Sequence, residues 1–256
     1  MDVISVVSAK GGVGKSTLTA NLAVALQRQG QSVLVIDTDP QNSLHYHFSF
    51  KVGSGDGLVH AATQQRAWPS LIATTPSGVD ILPYGQCSEP EREHFEALLH
   101  RTPQWLFNAL QVLDRPYDAI VIDTPPGASG YLSQVLTASS IAVGVALADA
   151  GSYVTLPQLQ SLVETYCGNS PHFKRFGVVV NQVDHNKPLN RDVVSMIKAA
   201  FPDHVIGLVH KDESVCEALA YGQDIFTYAP HSEAGRDISL CAKWLLNIMR
   251  HHETRL

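Results

Sequence analysis

Residues 9–16 read Ala-Lys-Gly-Gly-Val-Gly-Lys-Ser and follow an apolar run over residues 3–7. This is the pattern G-x-x-x-x-G-K-[ST] of a phosphate-binding loop, in its usual place between a strand and a helix, with Ala9 instead of the first glycine. The three glycines let the main chain bend closely around phosphate oxygens and aim N–H groups at them. The positive end of the following helix dipole adds to this anion site. The loop therefore predicts a site for the phosphates of a nucleotide.

The side chains of this loop also predict a magnesium ion. Lys15 is expected to lie between the β- and γ-phosphates, and the hydroxyl of Ser16 to ligate Mg²⁺. The chain has no G-x-G-x-x-G fingerprint, which disfavours dinucleotide binding. The residues expected to contact the nucleotide in this part of the chain are Lys10, Gly11, Gly12, Val13, Gly14, Lys15, Ser16 and Thr17.

Short apolar runs alternate with amphipathic stretches along the chain. The clearest runs cover residues 3–7, 32–36, 118–122, 141–147 and 177–180. Continuous apolar runs of this length are typical of strands buried on both faces, so they predict a doubly wound α/β fold: a mostly parallel sheet with helices on both faces. The first helix is expected from about Ser16 to Gly30, and a short helix over 58–65 after a flexible glycine-rich loop at 53–57. No shift in composition marks a boundary, so we predict one domain over residues 1–256.

Composition limits the classes of function. The chain has 256 residues and a formal net charge of -6, which disfavours avid, non-specific binding to nucleic acid. The four cysteines are widely spaced and form no C-x-x-C pair, which argues against a zinc site, an iron–sulfur site or a disulfide framework. No apolar run approaches the ~20 residues that span a bilayer, and no signal peptide is evident. We expect a cytoplasmic protein without an integral membrane segment.

Two further apolar runs end in aspartates. Asp37 and Asp39 follow the run that ends at residue 36, and in an extended chain they point to the same side, so both can face one metal–phosphate centre. Asp123 follows four apolar residues, which is the Walker-B pattern for a carboxylate that holds Mg²⁺. Asp37, Asp123 and Ser16 are therefore the predicted metal-binding residues.

Lys10, the second residue of the loop, resembles the signature lysine of the deviant Walker-A ATPases of the MinD/ParA family. That resemblance implies a homodimer with ATP sandwiched at the interface, in which Lys10 reaches the partner's nucleotide and acts with Lys15 in catalysis. The segment Asp37-Thr38-Asp39-Pro40-Gln41 resembles switch I of ParA-like proteins, which implies that Asp39 orients or activates the attacking water. Asn181 matches the position whose amide reads adenine in this family, and His210, Lys211 and Asp212 stand at the next strand end, where main-chain contacts with the base are expected. The implied cofactors are ATP or ADP with Mg²⁺.

Several branches of this family share these motifs. Residues 207–220, 81–86 and 242–247 resemble stretches of the BcsQ family of cellulose biosynthesis proteins. This resemblance implies a slowly hydrolysing, partner-regulated ATPase that regulates or localises the cellulose synthesis and secretion complex. The implied partners are the small protein BcsR and components of the cellulose synthase complex, which would bring the protein to the inner membrane or a cell pole.

Two other branches remain open as alternatives. A ParA-like ATPase that binds DNA would use a small basic face formed on dimerisation, for which the candidates are Lys174, Arg175, Lys187 and Arg191. A MinD-like membrane switch would use the C-terminal stripe Leu240, Cys241, Trp244, Leu245, Ile248 and Met249, followed by Arg250, His251, His252 and Arg255. Such a stripe more often packs on its own core. A metal-cluster carrier of the same fold would need a cysteine near residues 124–130, and none is there.

Overall fold

The computed structural model describes residues 1–49, 55–113 and 115–250. Eight strands of this described part form one sheet in the order β3-β4-β2-β5-β1-β6-β7-β8. Every neighbouring pair is parallel except β3 and β4, which are antiparallel. The strands are β1 (Asp2–Val7), β2 (Val33–Asp37), β3 (Ala73–Thr74), β4 (Asp80–Leu82), β5 (Ala119–Asp123), β6 (Ile141–Leu147), β7 (Arg175–Val183) and β8 (Val205–His210).

Helices cover both faces of the sheet. Successive residues of a strand point to opposite faces, and in β2 Val33 and Val35 pack into one buried cluster with α1 and α10, whereas Leu34 and Ile36 pack into another with α3, α4 and α5. The helices are α1 (Lys15–Gln27), α2 (Leu58–Thr63), α3 (Glu89–Arg101), α4 (Trp105–Gln111), α5 (Gly130–Ala138), α6 (Ala150–Cys167), α7 (Pro188–Ala200), α8 (Glu213–Ala220), α9 (Ile225–Tyr228) and α10 (Glu233–Arg250). Residues Leu44–Phe48 and Trp68–Ser70 form 3-10 helices.

The predicted fold class is confirmed. The five apolar runs correspond to β1, β2, β5, β6 and β7, with ends that differ by up to three residues. The first predicted helix is α1 and the short one is α2. Strands β3 and β4 did not stand out in the sequence because they have only two and three residues. Of the predicted glycine-rich loop, Gly53 and Ser54 lie outside the described residues.

The C-terminal apolar stripe packs mainly on the molecule's own core. Cys241 and Leu245 are fully buried and Met249 is nearly so, whereas Leu240 is exposed. Helix α10 lies so close to β8 that a Cβ on Gly207 would stand 2.3 Å from the sulfur of Cys241. No helix in the described ranges is long and apolar enough to cross a bilayer. His251, His252 and Arg255 lie outside those ranges.

Candidate functional site

The phosphate loop joins β1 to α1 at the carboxyl-terminal edge of the sheet. Gly12 and Gly14 adopt left-handed backbone angles (φ 74° and 82°), which glycine accepts without a steric penalty. Gly14 is the N-cap residue of α1, and this helix end has neither a side-chain cap nor an acidic residue in its first turn. The amino end of α1 therefore lacks the protein acceptors that usually satisfy such N–H groups, as an anion site requires.

Asp123 and Lys15 form a buried ion pair behind this loop. The Lys15 ammonium lies 2.9 Å from Oδ1 of Asp123, with 7% and 0% of the two side chains exposed. Thr19 donates a hydrogen bond to the same oxygen at 3.2 Å. The second oxygen of Asp123, Oδ2, is buried and has no hydrogen-bond partner among the described residues. A buried carboxylate oxygen without a donor is costly for a folded chain and indicates a missing ligand.

Asp37 and Asp39 meet Asp123 at the same place, as the sequence predicts. Asp37 and Asp123 are register partners on the adjacent strands β2 and β5. Burial and the charge of Asp123 raise the pKa of Asp37 well above its usual range. Burial also raises the pKa of Asp39, an effect that the positive charge of Lys15 opposes. Asp123 and Asp39 thus share the Lys15 ammonium, and Asp37 adds a third buried carboxylate beside Asp123, an arrangement that a divalent cation would balance.

Asp37 and Asp39 also shape the main chain that follows β2. Asp37 accepts hydrogen bonds from the amides of Asp39 (2.9 Å) and Leu44 (3.1 Å), one on each oxygen. Asp39 accepts one from the amide of Gln41 at 2.9 Å. Both oxygens of Asp37 are therefore engaged by the turn over residues 39–44, and Asp37 supports this segment beside Asp123.

The loop after β5 is fastened to the phosphate loop. Thr38 donates its hydroxyl to the carbonyl oxygen of Asp123 at 2.6 Å, and Thr124 donates to the carbonyl of Val6 at 2.8 Å. The amide of Gly127 donates to the carbonyl of Ser8 at 3.0 Å. These bonds join the segments after β2 and β5 to each other and to the residue that precedes the glycine-rich loop.

Lys10 lies apart from the ion pair of Lys15 and Asp123. Its ammonium is half-exposed and stands 3.9 Å from Oδ1 of Asp149, the N-cap residue of α6. A Cβ on Gly151 would stand 2.2 Å from the same ammonium. In the single chain, therefore, Lys10 is held at the start of α6 and is accessible to solvent.

A cavity of about 120 Å³ lies beside the amino end of α1. Its apolar wall comes from four separate elements, with Leu18, Val209, Val215 and Ile238 among its residues. Its polar rim contains the predicted residues Thr17, Asn181, His210, Lys211 and Asp212. Its shape and position beside the phosphate loop fit a nucleotide base.

The rim residues have defined contacts. Asn181 donates its amide to the carbonyl of Val13 at 2.8 Å, so its side-chain oxygen is left for the base. Asp212 caps α8 by accepting from the amide of Ser214, and Lys211 pairs with Glu213 at 3.2 Å. The Lys211 amide donates to the carbonyl of Val183 at 3.0 Å and the Asp212 carbonyl accepts from the amide of Val215 at 3.2 Å, so main-chain contacts of 211–212 with the base stay a prediction.

Sequence reasoning missed Gln182 and Cys216, which also line the cavity. Gln182 has a left-handed backbone (φ 55°) at an irregularity in the pairing of β7 and β8. Residues outside glycine seldom adopt this conformation except at functional sites and turns. Its sequence setting, a polar residue after an apolar run, carried no signal of that turn.

The four basic residues considered for a DNA-binding face do not form one face in the single chain. Lys174 and Arg175 lie at the start of β7, and Lys187 and Arg191 lie beyond its end. The nine residues of β7 place the two pairs about 30 Å apart. Lys174 also forms an ion pair with Asp2 at 2.8 Å. A basic face assembled from these residues on dimerisation therefore stays a prediction.

Comparisons with known proteins agree with this geometry. The family model described as "Cellulose biosynthesis protein BcsQ" matches residues 1–246. The chain is 28% identical over 248 residues to the cellulose biosynthesis protein BcsQ of Salmonella typhimurium, covering 96% of this chain and 94% of that protein. It is 29% identical over 234 residues to the chromosome-partitioning ATPase Soj of Thermus thermophilus, covering 90% and 89%.

Solved structures show the same fold. The septum site-determining protein MinD of Pyrococcus horikoshii, complexed with Mg-ADP, superposes with a TM-score of 0.78 at 22% identity, covering 100% of this chain and 99% of that one. Cobyrinic acid a,c-diamide synthase of Mycobacterium smegmatis, with a bound ATP analogue and magnesium, gives a TM-score of 0.79 at 23% identity, covering 99% and 96%. With its phosphate loop, its strand-end carboxylates and a family match over residues 1–246, the chain belongs to the BcsQ family of cellulose biosynthesis proteins.

Proposed function

We propose that this protein is an Mg-ATP-dependent ATPase that regulates or localises a bacterial cellulose synthesis and secretion complex. One observation carries the nucleotide part of the proposal. The uncapped amino end of α1 and the glycine-rich loop stand beside three buried carboxylates, two of which share a single lysine. The family match supports the cellulose-related part. Relatives described with Mg-ADP, or with an ATP analogue and magnesium, support the choice of cofactor.

The residues present fit a magnesium nucleotide. Oδ2 of Asp123 is a buried acceptor without a donor in the described part of the chain, and Ser16 is the second residue of α1, next to the Lys15 that pairs with Asp123. These two groups would hold Mg²⁺, with Asp37 supporting the metal's surroundings through the turn that it stabilises. Bound magnesium would neutralise the charge of the β- and γ-phosphate oxygens.

Hydrolysis would depend on two lysines and one carboxylate of this chain. Lys15, now paired with Asp123, would turn to the phosphates when they enter the loop, because they offer more negative charge than one carboxylate. Asp39 would accept a hydrogen bond from the attacking water and orient it; its raised pKa brings it closer to the range of a general base. Lys10, exposed at the start of α6, would reach the nucleotide of a second copy and stabilise negative charge there.

This arrangement implies a slow switch between monomer and ATP-bound homodimer. Nucleotide bound between two copies would order residues 39–43 and 124–130, because Gly127 bonds to Ser8 just before the phosphate loop and Thr38 bonds to Asp123 at the end of β5. Partners such as BcsR and the cellulose synthase components would then distinguish the two states. The protein would thus act in the cytoplasm and reach the inner membrane or a cell pole only through such partners.

The dimer is tested by two variants and a control. Asp39→Ala should bind Mg-ATP without hydrolysing it and should elute as a lasting dimer in size-exclusion chromatography with light scattering. Lys10→Ala should bind Mg-ATP but stay monomeric and inactive. Lys187→Ala, which removes another exposed lysine with a carboxylate neighbour, should behave as the native chain. If Asp39→Ala is monomeric with and without Mg-ATP, or if Lys10→Ala hydrolyses ATP normally, the switch model is wrong.

The cellular role is tested by co-purification from the native host. Recovery of cellulose synthase components, dependent on an intact Lys15, would support the proposal. Salt-sensitive retention on DNA without those components would favour a partition ATPase, and flotation with liposomes would favour a membrane switch.

A further inference from the structure

His210 stands at the end of β8 on the rim of the base cavity. Its ring is one-third exposed, and its Nδ1 lies 2.7 Å from Oδ2 of Asp237, a residue of α10. The same oxygen accepts the main-chain amide of His210 at 2.9 Å. One carboxylate oxygen therefore holds both the backbone and the ring of this residue.

These contacts fix which nitrogen of the neutral ring carries the hydrogen. Oδ2 of Asp237 accepts a hydrogen bond from the main-chain amide of His210, so the same oxygen is also the acceptor that faces Nδ1. Nδ1 is therefore the donor of the second hydrogen bond. The other nitrogen, Nε2, is then a hydrogen-bond acceptor. The ring of His185 packs against His210 with centroids 4.9 Å apart, which further restricts rotation of the ring.

A fixed acceptor on this rim distinguishes one class of base from another. Adenine carries an amino group at position 6, which donates hydrogen bonds, whereas hypoxanthine and guanine carry an oxygen there, which only accepts. An acceptor held in place, such as Nε2 of His210, can accept a hydrogen bond from the amino group of adenine. With a 6-oxo base, the same nitrogen would face an oxygen that is also an acceptor, and no hydrogen bond would form.

We propose that His210 is a specificity-determining residue for the adenine base, and that Asp237 is the positioning residue that sets its hydrogen-bonding polarity. This inference rests on the proposed nucleotide-binding function. The Asn181 side-chain oxygen, left free by the bond to Val13, offers a second acceptor on the same rim. Selectivity is therefore shared, and removal of His210 lowers it without abolishing it.

The test compares binding of Mg-ADP with binding of Mg-IDP, the nucleotide of hypoxanthine, by isothermal titration calorimetry. Diphosphates avoid hydrolysis during the titration. The native chain should prefer ADP, and His210→Ala should reduce that preference by about tenfold, the worth of one hydrogen bond. A structural role alone would weaken both nucleotides by the same factor and leave their ratio unchanged; that result would overturn the proposal.

Asp237 provides the second arm of the test. Asp237→Ala should lower the ratio nearly as much as His210→Ala, and the double variant should be no worse than either, because the two residues act as a unit. Asp237→Asn should keep most of the selectivity, since its side-chain oxygen can still accept from Nδ1. If Asp237→Ala retains the native ratio while His210→Ala does not, Asp237 has no positioning role.

A matched control, His204, lies at the other end of the same strand. His204 precedes β8 at its other end and contacts the carbonyl of Phe176 through Nδ1 at 3.1 Å. His204→Ala should leave the ratio of the two affinities unchanged; a change of the same size would show that loss of a histidine contact anywhere along β8 suffices, which would contradict the proposal. Failure of the native chain to bind Mg-ADP would instead overturn the proposed function itself.

Discussion

The sheet has an amino-terminal edge, where its parallel strands begin, and a carboxyl-terminal edge, where they end. Buried carboxylates at these two edges have different partners. At the amino-terminal edge, Asp2 accepts from Ser140 and from Lys174, each at 2.8 Å. Asp80, at the start of β4, accepts hydrogen bonds from Thr74 at 2.6 Å and from Tyr117 at 2.8 Å. It also forms an ion pair with Arg115 at 2.5 Å. Each of these carboxylates has donors for its charge inside the chain.

At the carboxyl-terminal edge, the buried carboxylates have too few cationic and hydrogen-bonding partners inside the chain. Asp39 and Asp123 have one ammonium group between them, that of Lys15, with Asp37 beside Asp123, and one oxygen of Asp123 has no donor among the described residues. A complete polar network stabilises the fold, whereas an incomplete one is costly until a ligand completes it. The difference indicates that the amino-terminal edge is structural and the carboxyl-terminal edge is built for a cation and an anion.

The largest effect on the free energy of unfolding should come from removing the lysine that pairs with a buried aspartate at each edge, Lys15 or Lys174. Lys15→Ala leaves three buried carboxylates without a cation and should cost about 3 kcal/mol in free energy of unfolding. It should also abolish the stabilisation by Mg-ATP, which for the native chain is about 2.7 kcal/mol at a hundred times the dissociation constant. Urea denaturation at pH 7 with and without Mg-ATP measures both quantities.

Lys174→Ala is the matched variant at the other edge. It should also lower the free energy of unfolding, because Asp2 loses its ion pair. It should keep the full stabilisation by Mg-ATP. If Lys174→Ala loses that stabilisation, or if Lys15→Ala retains it, the two edges do not differ as we conclude.

A smaller effect is expected in the pH dependence of stability. The pKa of Asp37 is raised by burial and by Asp123, so ionisation of Asp37 costs more in the folded chain than in the unfolded one. Its contribution to stability is therefore present at low pH and lost as pH rises from about 4, the unfolded pKa, through the raised folded pKa. Asp37→Asn should remove this loss, and so should Mg²⁺ bound with nucleotide.

The measurement compares urea denaturation of the native chain and Asp37→Asn between pH 4 and 8. His47 acts in the opposite direction, because burial lowers its pKa to about 4 and its contribution is lost as pH falls from about 6.5. The difference between the two proteins removes this common contribution. A native chain whose stability relative to Asp37→Asn does not fall with rising pH would contradict the raised pKa.

The smallest effect concerns the reactivity of one thiol. Cys216 is exposed and lines the base cavity, so bound ATP should slow its alkylation about tenfold at ten times the dissociation constant. Cys167 and Cys241 should stay unmodified in the folded chain, because both are buried and burial raises their thiol pKa values to about 12. Mass spectrometry after a short maleimide pulse reports each site.

Cys87 is the internal control for this experiment. It is partly exposed and lies after β4, away from the base cavity. Its labelling should change less with ATP than that of Cys216, because Cys87 lines a separate pocket beside residues 40–42 and not the base cavity. Equal protection of Cys87 and Cys216 would show a general tightening of the chain and would remove the evidence for a base in the cavity.

The phosphate half of the site was predictable because its residues are close together in the sequence. The loop, Ser16 and α1 form one continuous segment, and Asp37 and Asp123 each end an apolar run that a buried parallel strand explains. The register that sets Asp37 beside Asp123 was not visible, but parallel strands end at the same edge. Sequence reasoning therefore brought these groups together correctly.

The base half was less predictable because it is assembled from distant segments. Leu18, Val215 and Ile238 look like ordinary core residues in the sequence, and they form a cavity wall only after α1, α8 and α10 pack together. The contact between His210 and Asp237 joins residues that no local pattern relates. The basic residues considered for DNA binding show the same effect, since residues 174 and 191 are separated in the single chain by the length of β7.

The close approach of α10 to β8 links base recognition to a contact that no nucleotide touches. Gly207 has room for a hydrogen atom and nothing larger against the sulfur of Cys241. Asp237 lies one turn before Cys241 on α10, and His210 lies three residues after Gly207. A methyl group at position 207 would act as a wedge that lifts the helix and draws Asp237 away from the histidine. The absence of a side chain at Gly207 thus sets the distance between α10 and β8. A substitution there would be expected to change the base selectivity of the cavity without touching the nucleotide.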